Sequence, residues 1–383
     1  MKKSFLLGIA LLAAMSSCTN DVVMDEKGAN SDINPNAPVA IQLGVAGTIS
    51  AGVENSPSRA VVNEWSNTRI AIFGLAKSGN WNSVQDAGNP TVLWNNVEGV
   101  VGHDNVVSNF VLNNQPGYYP NQGTLNYSFY GYCLSDDIRT IQEWPTPSIN
   151  EEGNIVTTSF TIDGTNDVLW GKAEAPTLNG KGEDSGTQYQ GYNAKYFRKA
   201  DGATTPNLAF GHLLTQLQFN VKKSAQFDST QTLYLKRITI KNVETNLDLT
   251  IADISGSNTS GKLVVNPEDG NIQDLSVNNI PADGIDITAL VGENPIKAGD
   301  AIMLYTDGVN TKSFEIEVEL AGGALETSPT SVNTLTITAP LNAAYEAGKA
   351  YKVNLTINSL IGIELNATLT PWEESEYSIE GSI

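Results

Sequence analysis

Cys18 is the residue whose surroundings most clearly indicate chemistry. It follows a basic start, an apolar run at residues 5–15 and the small pair Ser16–Ser17. This order of segments is typical of a secretory signal peptide. The apolar run has about 11 residues, whereas a helix that spans a bilayer needs about 20. The sequence therefore predicts export, with residues 1–17 as a signal peptide that is removed.

The thiol of Cys18 is also placed to carry a lipid. Met15-Ser16-Ser17-Cys18 resembles a bacterial lipobox, in which signal peptidase II cleaves before the cysteine and the thiol carries a diacylglycerol. The resemblance implies a protein that acyl chains, and not a helix, hold at the membrane. The alternative is an ordinary signal peptide with a chance cysteine at this position.

No catalytic or metal-binding motif occurs elsewhere in the sequence. His-Glu-x-x-His, Cys-x-x-Cys, Gly-x-Ser-x-Gly and a phosphate-binding glycine loop are all missing. Two histidines are too few for most metal sites, and we interpret His212 as a partly buried structural residue. The acidic stretch 163–167 has carboxylates at calcium-like spacing, but an Asx turn is the favoured interpretation. We expect no enzyme activity, no metal and no cofactor.

Composition narrows the class of protein further. The 383 residues include 22 Lys and Arg against 42 Asp and Glu, for a net charge of −20, and this acidity argues against nucleic-acid binding. Once Cys18 is acylated, Cys133 is the remaining cysteine, so no intramolecular disulfide can form. Alternation in the aromatic strand around it predicts Tyr130 and Tyr132 on one face and Phe129 with Cys133 on the other, all in the core.

Short alternating apolar segments must position these residues. A polar tether at residues 19–38 precedes the period-2 strand Val39–Val45, which another loop follows. Strands separated by Gly, Asn and Pro turns continue from residue 60 onward, and no apolar repeat at helical spacing exceeds two turns. The pattern predicts an all-β protein made of β-sandwiches, in two halves at 60–205 and 206–383.

Several motifs in a fixed order resemble the fimbrillin family, the lipoprotein pilins of Gram-negative gut and oral anaerobes. The resemblance covers nearly the whole chain. The motifs are the lipobox at Cys18, the strand Val39–Val45, Tyr118-Tyr119-Pro120 with the aromatic strand 127–132, Asp167-Val168-Leu169-Trp170-Gly171, the segment 210–217, Gly348-Lys349-Ala350-Tyr351 and Pro371-Trp372.

The resemblance implies a fold and a route of maturation. The fold is two transthyretin-like β-sandwiches in tandem, preceded by a lipidated propeptide at 18–59 that contains the tether and the first strand. The lipidated precursor reaches the outer membrane, where an arginine-specific protease cuts between Arg59 and Ala60. No arginine precedes Arg59, and the next one, Arg69, opens a predicted strand that protects it. An ordinary loop arginine at position 59 is the alternative.

The resemblance also implies assembly by donor-strand exchange. Loss of the strand with Val39, Ile41, Leu43 and Val45 leaves an apolar groove, which a strand from the C-terminus of a neighbouring subunit fills. The matching tail positions here are Tyr377, Ile379 and Ile383. The protein is then a non-enzymatic subunit of an extracellular pilus that supports adhesion.

Partners and rival functions follow from the same resemblance. The partners are other pilin subunits in a homo- or heteropolymer, the protease, and a host protein or glycan receptor. The alternatives are a monomeric outer-membrane lipoprotein that binds glycans, or an anchor subunit that escapes the cut. The tail is short, which leaves tip, stalk and anchor roles open.

Overall fold

The computed structural model is almost entirely β-structure. It describes residues 38–46, 65, 68–78, 91–102, 104–108, 117–120, 125–134, 144–173, 175–225, 231–255, 257, 259–268, 271–288, 294–307, 313–324, 331–340, 345–359 and 362–370. Within these ranges lie twenty-five strands, one short 3-10 helix at Gly182–Asp184 and one α-helix, α1 at Ala194–Lys199. The all-β class expected from the sequence is confirmed.

A seven-stranded sheet, the central sheet, organises the first half of the chain. All of its neighbouring strands are antiparallel except the first pair, which is parallel. In spatial order the strands are β2 (Gly44–Ala46), β13 (Asn207–His212), β10 (Val168–Ala173), β7 (Leu125–Leu134), β3 (Arg69–Ser78), β4 (Thr91–Val101) and β5 (Val107–Ser108).

Both faces of the central sheet are buried in its middle. In β7, Phe129 and Cys133 belong to one hydrophobic cluster, whereas Tyr130 and Tyr132 belong to another. All four side chains are at most 1% exposed, which confirms the predicted alternation and the core role of Cys133. Because a strand turns successive side chains to opposite faces, a sheet buried on both sides needs apolar residues at nearly every position.

The second of these clusters joins the central sheet to a four-stranded sheet, the covering sheet. Its strands in spatial order are β17 (Leu263–Val265), β16 (Asn246–Asp253), β9 (Ile155–Thr161) and β8 (Ser148–Ile149). Leu247, Leu249 and Ile251 of β16 are fully buried in the same cluster as Phe73 of β3. The two sheets therefore share one core.

Two further sheets form a sandwich in the second half of the chain. The first has the order β20 (Ile296–Lys297), β14 (Thr215–Lys223), β24 (Ala350–Ser359) and β25 (Gly362–Thr370), with β21 (Ile302–Leu304) also paired to β14. The second has the order β18 (Ile272–Ser276), β15 (Gln231–Glu244), β22 (Ser313–Ala324) and β23 (Ser331–Pro340), with β19 (Ile285–Asp286) also paired to β15. A third cluster joins buried side chains of both sheets, among them Phe219 and Ile316.

Two small antiparallel strand pairs and α1 complete the first half. The pairs are β1 (Val39–Ala40) with β6 (Tyr118–Tyr119), and β11 (Leu178–Asn179) with β12 (Gln188–Tyr189). Asn193 caps α1, because its side chain accepts a hydrogen bond of 2.8 Å from the Tyr196 N–H. The helix buries Ala194 and Tyr196 in the hydrophobic cluster that contains Phe129 and Cys133. This cluster lies on the face of the central sheet opposite the covering sheet.

Three strands from beyond residue 206, namely β13, β16 and β17, lie in the central and covering sheets. β13 pairs with β10 in the central sheet, and β16 pairs with β9 over residues 246–253 and 155–161. The pairing shows that hydrogen bonds and core packing cross the predicted boundary between residues 205 and 206. The division into two tandem sandwiches with that boundary stays a prediction.

Replacing Leu249 with alanine tests the shared core. Leu249 is fully buried, so Leu249→Ala should lower the free energy of unfolding by about 2–5 kcal/mol. The neighbouring Thr250→Ala changes the opposite, half-buried face and should cost about 0.5 kcal/mol or less. Urea titration followed by tryptophan fluorescence measures both. Equal effects of the two substitutions would contradict the assigned packing.

Candidate functional site

The N-terminal segment 38–46, called here the resident strand, closes the central sheet. On one side it runs parallel to β13, with Val45 opposite Leu208 and a hydrogen bond of 2.9 Å from the Gly44 N–H to the Pro206 carbonyl. β13 is the last strand of the sheet on that side apart from the resident strand itself. The resident strand therefore covers an edge that would otherwise be open.

The other side of the resident strand pairs with the opposite end of the same sheet. The Val45 N–H donates to the Asn105 carbonyl, and the Val107 N–H donates to the Leu43 carbonyl, each at 2.9 Å. Gly44 forms an antiparallel bridge with Val106, next to β5. Residues 43–46 thus connect β13 with the β5 end of the sheet, and among the described residues the sheet closes on itself through them.

A tight turn presents the Asn105 carbonyl to the resident strand. Asn105 has a positive φ of 59°, a conformation that asparagine tolerates better than most residues. The Gly102 N–H donates to the Val106 carbonyl, and the Val106 N–H donates to Oδ1 of Asp104 at 3.1 Å. These bonds hold the turn independently of the resident strand.

The first half of the resident strand makes a separate ladder. Val39 and Ala40 pair antiparallel with Tyr119 and Tyr118, and the Ile41 N–H donates to the Gly117 carbonyl at 3.0 Å. The predicted continuous strand Val39–Val45 is therefore two short strands, β1 and β2, separated by residues 41–43. The break occurs where the chain leaves β6 and enters the gap between β13 and residues 105–107.

Three side chains of the resident strand point into the core. Ile41, Leu43 and Val45 are 6%, 1% and 4% exposed, and Val39 packs against the same cluster. Burying a large aliphatic side chain stabilises a fold by roughly 1.5–3 kcal/mol. The three together contribute roughly 5–9 kcal/mol, which is comparable with the whole stability of a typical domain. The predicted strand residues thus lie together in one groove.

The acceptor groove, formed by residues 105–107, 117–119 and 206–209, rests on aromatic packing. Tyr119 lies 5.3 Å, centroid to centroid, from both Tyr127 and Phe197 of α1. Burial, reinforced by Tyr192, raises the pKa of Tyr119 well above its usual value, so the phenol stays neutral. These contacts fix β6, the strand that pairs with β1, to the rest of the core.

Phe210 supports the groove from the β13 side. Its ring lies over Gly171 and Gly131 on the two adjacent strands, where an added Cβ would come within 2.9 Å and 3.1 Å of the ring. Trp65 packs on the same ring at a centroid distance of 4.7 Å. Only glycine leaves room for the phenylalanine at these two places. Close packing against Phe210 thus explains why Gly131 and Gly171 are glycines.

The remaining predicted site residues lie outside the described residues. They are Cys18, Arg59, Ala60, Tyr377, Ile379 and Ile383. Sequence reasoning, for its part, missed the acceptor groove residues. Tyr118 and Tyr119 belong to a motif of the family resemblance, but no local signal in a single sequence indicates that residues 45 and 208 pair.

The acidic and histidine candidates have structural roles. The Thr165 N–H and hydroxyl both donate to Oδ1 of Asp163, at 2.8 and 2.5 Å, which confirms the Asx turn. His212 is mostly buried and its Nδ1 contacts Oδ2 of the fully buried Asp167. In the ranges that the structure describes, His, Cys, Asp and Glu side chains form no group of three or more that suits a metal. Nor does any helix of those ranges have the length and apolarity to cross a membrane.

The fold and the groove define an all-β sandwich protein whose largest sheet is closed by an N-terminal strand. The model of the fimbrillin-like family matches residues 58–372, which is most of the chain. The chain therefore belongs to the fimbrillin-like family. This family consists of fimbrial structural subunits and not of enzymes, and it places the protein with other subunits in a surface fimbria.

One of the solved structures that match the chain supports this fold. A fimbrial protein from Bacteroides vulgatus is 16% identical, with a TM-score of 0.54, and the match covers 87% of this chain and 99% of that one. A Bacteroides uniformis protein, named for cell adhesion, is 15% identical with a TM-score of 0.43, covering 88% and 98%. No curated protein matches the chain.

Leu43 should be the residue that holds the resident strand most firmly. Leu43→Ala removes the most buried side chain of the strand and should lower the free energy of unfolding by about 2–5 kcal/mol. Gln42→Ala alters the half-buried opposite face and should have a much smaller effect. Hydrogen exchange of the Val45 and Val107 amides should also accelerate in Leu43→Ala alone. Unchanged exchange would contradict the assigned burial.

Proposed function

We propose that this protein is a fimbrial subunit that is exported as a lipoprotein and assembled by proteolysis-triggered donor-strand exchange, in support of cell adhesion. The observation that carries the proposal is the resident strand. It pairs on both sides, buries three aliphatic side chains, and belongs to a segment before the matched range 58–372.

Loss of the resident strand would leave specific groups without partners. These groups include the carbonyls of Asn105, Gly117 and Pro206 and the Val107 N–H. The three apolar pockets that hold Ile41, Leu43 and Val45 would also be empty. Each backbone group left unpaired out of contact with water costs about 1–3 kcal/mol. An incoming strand restores both the hydrogen bonds and the burial, as in β-strand addition. The emptied groove would therefore bind an extended segment of suitable sequence.

Arg59 is the proposed processing site. It lies between the resident strand and Trp65, the next core residue in the described part of the chain, so a cut there separates the strand from the rest of the chain. Arg69 is an unsuitable site, because it lies in β3, where it is paired with Val100 of β4, and its guanidinium forms an ion pair with Glu98. A protease needs an extended backbone that is free to enter its cleft.

The lipid on Cys18 and the exchanged strand have complementary roles in this proposal. The lipid holds the precursor at the outer membrane, and the cut after Arg59 releases the folded subunit from it. Tyr377, Ile379 and Ile383 of the C-terminal tail then act as donor residues toward another subunit. A host protein or glycan receptor is the target of the assembled fimbria.

Substitution of Arg59 tests the proposed route. Arg59→Lys keeps the charge but removes the residue that an arginine-specific protease recognises, so we expect the protein to remain a lipidated precursor that begins at Cys18. Ser58→Ala, the matched control, should still be processed to Ala60. N-terminal mass spectrometry of surface-sheared material and heat-stable ladders on gels provide the two measurements.

The outcomes separate the proposal from its alternatives. An N-terminus at Ala60 in Arg59→Lys would contradict cleavage by an arginine-specific protease, and ladders from this variant with a different N-terminus would contradict processing at this site. A wild-type protein recovered only with lipidated Cys18 at its N-terminus would instead favour the anchor subunit or the monomeric lipoprotein.

A further inference from the structure

The acceptor groove sets a demanding pattern for any strand that fills it. It accommodates large aliphatic side chains at three alternate positions, those of Ile41, Leu43 and Val45, all at most 6% exposed. Between the second and third lies Gly44, where an added Cβ would approach Oδ1 of Asn207 to 3.0 Å and the Asn105 carbonyl oxygen to 3.6 Å. A strand that fits therefore has three consecutive inward aliphatic residues and a small residue before the third.

The chain's own tail does not meet this pattern. Within residues 371–383, the alternate positions that contain apolar residues read Ser375, Tyr377, Ile379, Gly381 and Ile383. Every set of three consecutive members of this series includes either Ser375 or Gly381. The other alternation contains Trp372 followed by glutamates and serines. The result is the same for either direction of the strand, so residues 371–383 fill at most two of the three pockets.

The resident strand, by contrast, fills every position. In the register that uses most of the tail, Ile379 and Ile383 replace Ile41 and Val45, while Gly381 falls at the place of Leu43, the most buried side chain. One missing large aliphatic side chain weakens association by about tenfold or more. The tail of a second copy would have to displace a better-fitting strand.

We infer that the acceptor groove is selective for a strand from a different subunit and excludes the tail of a second copy of this chain. That strand has large aliphatic residues at three consecutive alternate positions and a small residue, glycine by preference, between the second and third. The chain then occupies a place in a mixed fimbria and not in a homopolymer. This inference rests on the proposed strand exchange.

Peptide exchange on the complete chain tests the selectivity. The purified protein is cut with an arginine-specific protease and incubated with an excess of fluorescent peptide, and bound peptide is measured by anisotropy. The peptides are residues 38–46, residues 371–383, the tail with Gly381→Val and the tail with Ser382→Val. We expect the first and third to bind at least about tenfold more tightly than the native tail. Ser382→Val adds the same side chain at the place of Gly44, an outward position with little room beside Asn207, and should bring no gain.

The same substitutions in the protein give a second readout. After cutting, Gly381→Val should form ladders of high mass, whereas the wild-type chain and Ser382→Val should not. Equal gains from Gly381→Val and Ser382→Val would overturn the inference. So would native-tail binding within about threefold of the 38–46 peptide, although strand exchange itself would then stand. If even the 38–46 peptide fails to bind, strand exchange fails and the inference fails with it.

Discussion

A strand that is paired along both of its sides cannot leave without exposing two edges at once. Residues 43–46 are in this position, because β13 and residues 105–107 accept or donate hydrogen bonds on opposite sides of them. In the part of the chain that the structure describes, the central sheet closes through this contact. The burial of Ile41, Leu43 and Val45 and the ladder between β1 and β6 both depend on the strand being in place.

The walls of the groove are held by contacts that do not involve the resident strand. Tyr119 packs on Tyr127 and Phe197, and Phe210 packs on Trp65 over Gly131 and Gly171. The turn before Val106 keeps its own hydrogen bonds. A groove whose walls are fixed in this way selects its occupant by shape, since the pockets at three alternate positions cannot readily collapse or widen.

Local pattern was sufficient to predict most strands, but not which strands meet. Alternation placed Phe129 and Tyr130 on opposite faces of β7 correctly, because the period of two is a property of the strand alone. It did not indicate that Val45 lies opposite Leu208, or that β16 joins β9, since those contacts connect residues far apart in sequence. The break between β1 and β2 was also missed, because it arises from the positions of two separate partner strands. The residues Arg59 and Cys18 stay predictions from motif and resemblance.

The covalent link between the resident strand and the rest of the chain matters as much as the fit. While residues 47–64 connect the two, the strand is present at a high effective concentration and no free competitor can match it. Cutting at Arg59 would leave every hydrogen bond and pocket unchanged and remove only this advantage. The resident strand would then compete on affinity alone. In the proposed exchange, proteolysis therefore makes replacement permissible, and the three aliphatic pockets decide which strand can succeed.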